Sequence, residues 1–298
     1  MILGSHVSVA GGPEHAFGHA AEIGCDAIQV FVKPPRKLRG IKDFTPEQIH
    51  AWEAARATSK VQAIVVHANY LINLAGQGHT GEYSREALLD EMKRAHELRI
   101  GTVIFHPGQH FGGGEEKGLR TIAKNLQWCL KKGKDYGDVT IALENMAGQG
   151  TMLGYDLQQL RTIIDLTGEP RRFGVCIDTC HTLAAGYDLQ TREGYAKTME
   201  LVEALFDDTT AGVRAFHVND SKTPRGSRVD RHAEITKGTM GAAGFKLLLQ
   251  DPRWRDAPGV LETPHDDNKG FAKDLKRLRK LEAEPLTDKD LPRQRVLG

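Results

Sequence analysis

The sequence predicts an α/β protein that forms a single (β/α)8 TIM barrel, and three observations favour this fold class. The chain has 298 residues, a length that suits one large barrel, and 40% of them are hydrophobic. Short β-branched apolar runs alternate with longer amphipathic segments along the chain. Eight such runs are present, and eight strands alternating with helices favour a closed parallel barrel over an open doubly wound sheet.

The candidate strands are near-continuous apolar runs, which is typical of parallel strands that are buried on both faces. Their predicted bounds are residues 2–6, 27–31, 63–67, 102–106, 140–144, 174–178, 214–218 and 259–262.

The segments between the strands carry helix signals. Thr45, Pro46 and Gln48 supply an N-cap, a proline at the first helical position and a capping-box glutamine. Leu88 and Met92 lie on one face of the segment 83–99. The other amphipathic segments are residues 119–126, 156–166, 191–206, 242–249 and 271–281.

The organisation of the chain is simple, because no linker divides it. We predict a barrel domain over residues 1–281 and a charged C-terminal extension over residues 282–298. No apolar run approaches the roughly 20 residues of a membrane span, and the N-terminus lacks the pattern of a signal peptide. The four cysteines form no CxxC pair, which disfavours a zinc finger, and so few cysteines in a chain of this length favour a reducing compartment. We therefore expect a cytoplasmic protein without membrane contact and, by default, a monomer.

Potential metal ligands follow the strands at their C-terminal ends. The third to eighth strands end in His67, His106, Glu144, Asp178, His217 and Glu262, and the loops that follow add His181, Asp230 and His232. These strand ends converge on one mouth of a barrel, where active sites are built. We expect Asp178 and His181 to face the mouth if the chain turns helical there, and Asp230 and His232 to do so if extended.

A simpler interpretation competes with metal binding. A lone histidine at a strand end is more often a hydrogen-bonded core residue, Asp178 could cap a helix, and Glu144 and Glu262 could be ion-paired supports. Titratable residues at six consecutive strand ends favour metal binding, because burying so many such groups without cations would cost free energy. Imidazole with carboxylate suits Zn²⁺ or Mn²⁺, and nine ligands imply two or three ions. Such a site favours phosphate-ester hydrolysis. Cys180 is interpreted as core packing rather than a catalytic thiol.

Longer blocks of sequence carry a family resemblance. They read GSHVSVAGG, HANYLINLA, LDEM, FHPGQH, LENMAGQG, GVCIDTCHTLAAGYDL, FHVNDSK, GSRVDRH and LETP. Over nearly the whole chain the sequence resembles the endonuclease IV family of zinc-dependent apurinic/apyrimidinic endonucleases.

The resemblance implies three Zn²⁺ ions, with Mn²⁺ as an alternative in some sites. The implied ligand sets are His67 and His106 with Glu144 bridging; Glu144, Asp178, His217 and Glu262; and His181, Asp230 and His232. It further implies hydrolysis of the phosphodiester 5′ to an abasic site in double-stranded DNA by a metal-bridging hydroxide, leaving a 3′-hydroxyl and a 5′-deoxyribose phosphate. Glu144 and Glu262 would then be catalytic, the latter by orienting the hydroxide.

Two basic loops on the same rim of the mouth favour phosphate contacts, although solvated surface charge is the alternative for any one of them. They carry Lys33, Arg36, Lys37 and Arg39 after the second strand and Lys222, Arg225, Arg228 and Arg231 after the seventh. Net charge of +1 gives no independent sign of a nucleic-acid partner. Tyr70 resembles the residue that the family inserts into the minor groove as a wedge.

The departures from the family pattern lie in the loops. Pro34 and Pro35 interrupt a stretch that commonly reads Lys-Asn-x-Arg-aromatic, and Thr236 stands where a glycine is usual. His6 and His110 are near the mouth but outside the ligand set.

Two other functions compete with the nuclease. A divalent-metal sugar isomerase or epimerase on a related barrel usually needs one or two metals, so the third ligand set speaks against it. A non-catalytic DNA-binding barrel would lack a ligand, and none is missing.

Overall fold

The computed structural model describes residues 1–287, which form a closed barrel of eight parallel strands with helices outside. The barrel strands follow one another around the ring in chain order, and the last pairs with the first. They are β1 (Ile2–His6), β2 (Ala27–Val30), β3 (Ala63–His67), β4 (Thr102–Phe105), β5 (Thr140–Glu144), β6 (Phe173–Asp178), β7 (Val213–His217) and β10 (Pro258–Leu261). The predicted fold class is confirmed, and each strand lies within one residue of its predicted bounds.

The helices cover the outside of the barrel. They are α1 (His15–Ile23), α2 (Pro46–Thr58), α3 (His79–Glu97), α4 (Glu115–Lys132), α5 (Leu157–Thr167), α6 (Thr179–Ala185), α7 (Arg192–Leu205), α8 (Gly241–Leu249) and α9 (Asn268–Ala283). The capping box of Thr45 and Gln48 is present at the start of α2. Helix α1 was not predicted, because its short sequence contains Gly18 and has no side-chain N-cap. None of the helices within residues 1–287 is long and apolar enough to cross a membrane.

An inward-facing apolar layer fills the barrel below the mouth. It consists of Val65, Ile104, Ala142, Cys176 and Ala215, one from each of β3 to β7. Because side chains alternate along a strand, the residue two positions further on points inward as well. That position holds a predicted ligand in four of the strands and, for β4, directly after the strand at His106. The pleat of the barrel itself therefore gathers these side chains.

A two-stranded antiparallel ribbon returns the long loop after β7 to the mouth. Its strands are β8 (Asp220–Ser221) and β9 (His232–Ala233), and Ser221 pairs with His232. The buried Asp220 carboxylate accepts the backbone N–H groups of Ser221, Gly238 and Met240. This ribbon was not predicted, and it holds His232 in extended backbone over the barrel.

The C-terminal helix continues past the predicted domain boundary at residue 281. Helix α9 ends at Ala283, and the side-chain amide of Gln250 donates to the carbonyl of Glu284 at 2.6 Å. The start of the predicted extension therefore packs against the barrel. Residues 288–298 of that extension lie outside the described part of the chain.

Gly4 provides a test of barrel closure. It pairs with Ala27 of β2, and a Cβ at residue 4 would overlap the Ala27 carbonyl oxygen. We expect Gly4→Ala to lower the free energy of unfolding by about 3 kcal/mol, since backbone must move to admit the methyl group. Gly18→Ala is the control, because its Cβ would meet open space on α1 and should stabilise by about 1 kcal/mol. Equal denaturant midpoints for Gly4→Ala and wild type would contradict the close approach.

Candidate metal centre

Nine side chains that the sequence predicted as ligands meet at the barrel mouth. Within each of three groups, one potential ligand atom per residue lies within 4.8 Å of the others. The groups are His67, His106 and Glu144; Glu144, Asp178, His217 and Glu262; and His181, Asp230 and His232. Each group has the composition that the resemblance implied.

Glu144 lies at the centre of this arrangement and is completely buried. Its Oε2 is 3.1 Å from His67 Nε2 and 3.2 Å from His106 Nε2. Its Oε1 is 3.1 Å from His217 Nδ1 and 3.2 Å from His181 Nδ1. One carboxylate therefore faces members of all three groups.

Several polar atoms in the centre have close neighbours but no hydrogen bond. His217 Nδ1 is also 3.2 Å from Glu262 Oε2, yet within residues 1–287 neither it nor Glu144 Oε1 has a hydrogen-bond partner. The same holds for His181 Nε2 and His232 Nε2. An unsatisfied buried polar atom costs about 1–3 kcal/mol, so a shared cation would relieve several such costs at once. The mixed nitrogen and oxygen donors suit Zn²⁺ or Mn²⁺.

Four of the five histidines are oriented by their second ring nitrogen, a common feature of metal-binding imidazoles. This contact leaves the other nitrogen facing the centre. The pairs are His67 Nδ1 with Ala68 O (2.7 Å), His181 Nδ1 with Asn145 O (2.9 Å), His217 Nε2 with Gln29 Oε1 (2.8 Å) and His232 Nδ1 with Glu262 O (3.1 Å).

Charges in the centre shift the pKa values in opposite directions. Burial alone would raise the pKa of Glu262, but nearby imidazoles, His217 foremost, hold it at about 2. Burial would likewise raise the pKa of Glu144, but His217 and His106 hold it well below its usual value. Burial would lower the pKa of His217, yet it lies well above its usual value because of the surrounding acidic groups. Glu144 and Glu262 are therefore ionised and strongly favour neighbouring positive charge.

Gln29 supports the second group and was missed from the sequence. Its side-chain amide donates to Glu262 Oε1 at 2.6 Å, while its carbonyl oxygen contacts His217. The available signal was a polar residue inside the apolar strand β2.

Two asparagines next to predicted ligands were also missed. Asn219 donates to Asp178 Oδ2 at 2.7 Å and accepts the backbone N–H of Glu262 at 2.8 Å. Asn145 accepts the backbone N–H of Asp178 at 2.7 Å. Both are fully buried and follow a ligand directly or by two positions, inside the LENM and FHVND motifs.

Local structure assembles the third group. Asp178 Oδ1 accepts the N–H of His181 at 2.7 Å and begins helix α6, so the predicted helical turn is confirmed. Asp178 thus caps a helix with one oxygen, while its Oδ2 lies 3.6 Å from His232 Nε2. Asp230 Oδ2 is 3.2 Å from His181 Nε2, and its Oδ1 is 3.5 Å from His232 Nε2.

The predicted DNA contacts occupy different environments. Arg36, Lys222, Arg228 and Arg231 are exposed on the mouth loops. The Arg228 guanidinium lies 4.3 Å from the ring centroid of Tyr155. Arg231 donates to the carbonyl of Asp230 at 2.7 Å, so a rim cation lies next to the third group.

Tyr70 lies at the edge of the first group. Its side chain is about half exposed, and its ring centroid is 5.2 Å from that of His67 and 5.8 Å from that of His106. The ring therefore covers one side of the centre and faces solvent with the other.

The prediction that Lys33 contacts DNA is wrong for this structure. Its side chain has 0% exposure, and its Nζ lies 3.1 Å from Asp90 and 3.5 Å from Glu91. It also donates to the carbonyl of Ala87 at 2.9 Å. The side chain points toward α3 because these two carboxylates lie there and compensate its charge.

Three other side chains near the mouth lie outside the three groups. His6 is half-buried, and the partial loss of solvent lowers its pKa to about 4. His110 Nδ1 accepts the backbone N–H of Gly114 and so supports its own loop. Burial raises the pKa of Cys180 to about 12, so its thiol stays protonated, as core packing predicts.

Thr236 occupies the left-handed region of backbone space, with φ of 65°. This region disfavours a β-branched residue and explains why a glycine would suit the position better.

Comparisons with known proteins agree with this geometry. Residues 17–281 match the family described as xylose isomerase-like TIM barrel. A probable endonuclease 4 of Geobacter sulfurreducens is 42% identical over 284 residues, which cover 94% of each chain. The crystal structure of endonuclease IV from Thermus thermophilus superimposes with a TM-score of 0.83 at 31% identity, covering 94% of this chain and 98% of that one. The fold is shared with a D-tagatose 3-epimerase-like protein, whose crystal structure superimposes with a TM-score of 0.72 at 21% identity. The match covers 94% of this chain and 97% of that one. The chain therefore belongs to the endonuclease 4 family, within the xylose isomerase-like TIM barrels.

Proposed function

We propose that this protein is a DNA-repair endonuclease that binds three Zn²⁺ ions and hydrolyses the phosphodiester 5′ to abasic sites in double-stranded DNA. The products are a 3′-hydroxyl and a 5′-deoxyribose phosphate. The observation that carries the proposal is the juxtaposition of three groups of potential ligands around Glu144. Metal ions held there would stabilise phosphate charge and lower the pKa of bound water toward about 7.

Glu262 is the residue best placed to orient the attacking water. Its carboxylate is ionised at neutral pH, because its pKa is held at about 2. The Gln29 amide donates to its side chain, and the side-chain oxygen of Asn219 accepts its backbone N–H. An ionised acceptor fixed in this way orients water by accepting a hydrogen bond, while Glu144 joins the ligand groups.

The rim of the mouth supplies the proposed contacts to the duplex. Arg36, Lys222, Arg228 and Arg231 are exposed there and would contact phosphates. The half-exposed Tyr70 lies over the first group. If its ring wedges into the minor groove, it would enter the groove beside the scissile bond. An abasic nucleotide has no base to stack, so its extrusion costs least.

The third group distinguishes this proposal from a sugar isomerase or epimerase. His181, Asp230 and His232 lie together beside the first two groups, Arg231 donates to the Asp230 carbonyl, and Arg228 is exposed in the same loop. Additional metal ligands next to exposed cations fit a phosphate diester better than a neutral sugar. The cytoplasmic location and the monomeric state stay predictions.

Metal dependence on an abasic duplex is the principal test. We expect purified protein to carry close to three metal equivalents and to cut a duplex at a single abasic site, with cleavage lost after chelation and restored by Zn²⁺. The measurement is gel separation of end-labelled products together with elemental analysis. The same duplex without the lesion is the control. Undiminished cleavage by chelated, metal-free protein, or no cleavage with full metal content, would contradict the proposal.

Substitution of Glu262 tests its role in orienting water. We expect Glu262→Gln to lower kcat on the abasic duplex by about 100-fold or more, because a neutral amide accepts a hydrogen bond from water less strongly. Affinity for the duplex should change little. Glu234→Gln is the matched control, since Glu234 pairs with Arg277 outside the three groups. Wild-type turnover in Glu262→Gln would remove this residue from the mechanism.

Tyr70 is tested by comparing two substitutions. Tyr70→Ala should weaken binding to abasic duplex by about tenfold, because the ring at the mouth is lost, while Tyr70→Phe should bind nearly as wild type. Fluorescence anisotropy with labelled duplex gives the affinities, and metal content should be the same in both variants. Tyr136→Ala, on the outside of the barrel, controls for the loss of an aromatic ring. Equal affinity of Tyr70→Ala and wild type would reject the wedge.

A further inference from the structure

Helix α3 carries a buried polar network that contacts two loops of the barrel mouth. The first loop, residues 31–45, joins β2 to α2 and carries Arg36. The second loop, residues 68–78, joins β3 to α3 and carries Tyr70. Glu91 of α3 lies beneath both and is only 1% exposed.

One carboxyl oxygen of Glu91 meets both loops. Glu91 Oε1 accepts the backbone N–H of Asn69 at 3.1 Å, which fixes the second loop immediately before Tyr70. The same oxygen lies 3.5 Å from Lys33 Nζ, at the start of the first loop. A single buried group therefore ties the beginnings of the two loops to α3.

The side chain of Asn69 connects the loops directly. Its Nδ2 donates to the carbonyls of Pro34 at 2.7 Å and Lys37 at 3.1 Å, on either side of Arg36. Its Oδ1 accepts the backbone N–H of Leu71 at 2.8 Å, which closes the turn around Tyr70. The backbones that carry the exposed arginine and the exposed tyrosine thus share one anchor.

Arg94 holds the far end of the first loop one turn further along α3. Its buried guanidinium donates to the carbonyl of Lys42 at 3.0 Å and pairs with Asp90 at 3.1 Å. The first loop is consequently fixed at both ends, and its exposed basic middle lies between these points.

Burial makes this network costly. It raises the pKa of Glu91 to about 7, although Lys33 and the Asn69 amide act in the opposite direction. Buried ion pairs add little net stability, because desolvation offsets most of their attraction. Their best-supported contribution is to specify one geometry.

We propose that Glu91 and Asn69 are positioning residues for substrate binding, which set the distance between Arg36 and Tyr70 so that both engage one duplex. The inference rests on the proposed function of this mouth as a DNA site. Neither residue belongs to the three ligand groups, so disrupting the network should alter the grip on DNA and leave the chemistry at the metals intact.

The test compares a large and a small substrate. We expect Glu91→Ala to raise KM for the abasic duplex about tenfold or more through misplacement of the loops, with kcat unchanged. Turnover of bis(4-nitrophenyl) phosphate, which is too small to span Arg36 and Tyr70, should stay at the wild-type level. Glu82→Ala is the matched control, since Glu82 is an exposed glutamate of the same helix that pairs with His79.

A rescue separates positioning from general support of the fold. Glu91→Gln keeps an oxygen for the Asn69 backbone N–H. Combining it with Lys33→Met removes the buried cation, which would otherwise keep Asp90 but lose the charge of Glu91. The double variant should recover most of the wild-type KM. Parallel loss of small-ester turnover and metal content in Glu91→Ala, or an unchanged KM, would overturn the inference.

Hydrogen exchange gives a readout that does not depend on the substrate. In Glu91→Ala, peptides covering residues 35–39 and 69–72 should both exchange faster than in wild type. Wild-type exchange in either peptide overturns the inference. Failure of the wild-type protein to cut any abasic duplex would instead overturn the proposed function, and the exchange result would still decide whether Glu91 fixes both loops.

Discussion

Glu144 is an ionised carboxylate in the interior of the barrel, and its neighbours are arranged around that charge. Four imidazole nitrogens lie between 3.1 and 3.2 Å from its two oxygens. A charge this deeply buried needs compensation, and imidazolium groups or bound cations are the means the site offers. Among residues 1–287, one ring nitrogen each of His181, His217 and His232 has no hydrogen-bond partner, so hydrogen bonds between these side chains do not complete that compensation.

The geometry of the barrel brings the charged side chains together. Parallel strands in register place their C-terminal ends side by side, and the pleat points every second side chain inward. The apolar layer from Val65 to Ala215 therefore fixes the level at which the ligands emerge. Three amides then hold individual predicted ligands. Gln29 and Asn219 donate to the carboxylates of Glu262 and Asp178, and Asn145 accepts the backbone N–H of Asp178.

The strands and the grouping of the potential metal ligands could be predicted because both follow from short-range rules. Apolar runs gave the eight strands, and a titratable residue at each of six strand ends gave the centre. The failures involve longer-range packing. Lys33 was expected at the surface, but its partners Asp90 and Glu91 are more than fifty residues away, and only the packing of α3 under the loop reveals them. The ribbon at Asp220 and His232 has strands of two residues, too short for any periodic signal.

Two layers of polar side chains support the mouth, and they differ in what they hold. The amides on β2 and after β5 and β7 contact the ligands, so their geometry bears on the chemistry at the centre. Glu91, Asn69 and Arg94 contact loop backbone instead, away from the ligands. Loops vary more readily than the strands that connect to them. Pro34 and Pro35 lie in the span that Asn69 anchors, where a fixed φ stiffens the chain and the Pro34 carbonyl remains free to accept. The altered stretch at Pro34 can thus differ from the family pattern without disturbing the centre, because the interactions that shape the rim are separate from those that hold the ligands.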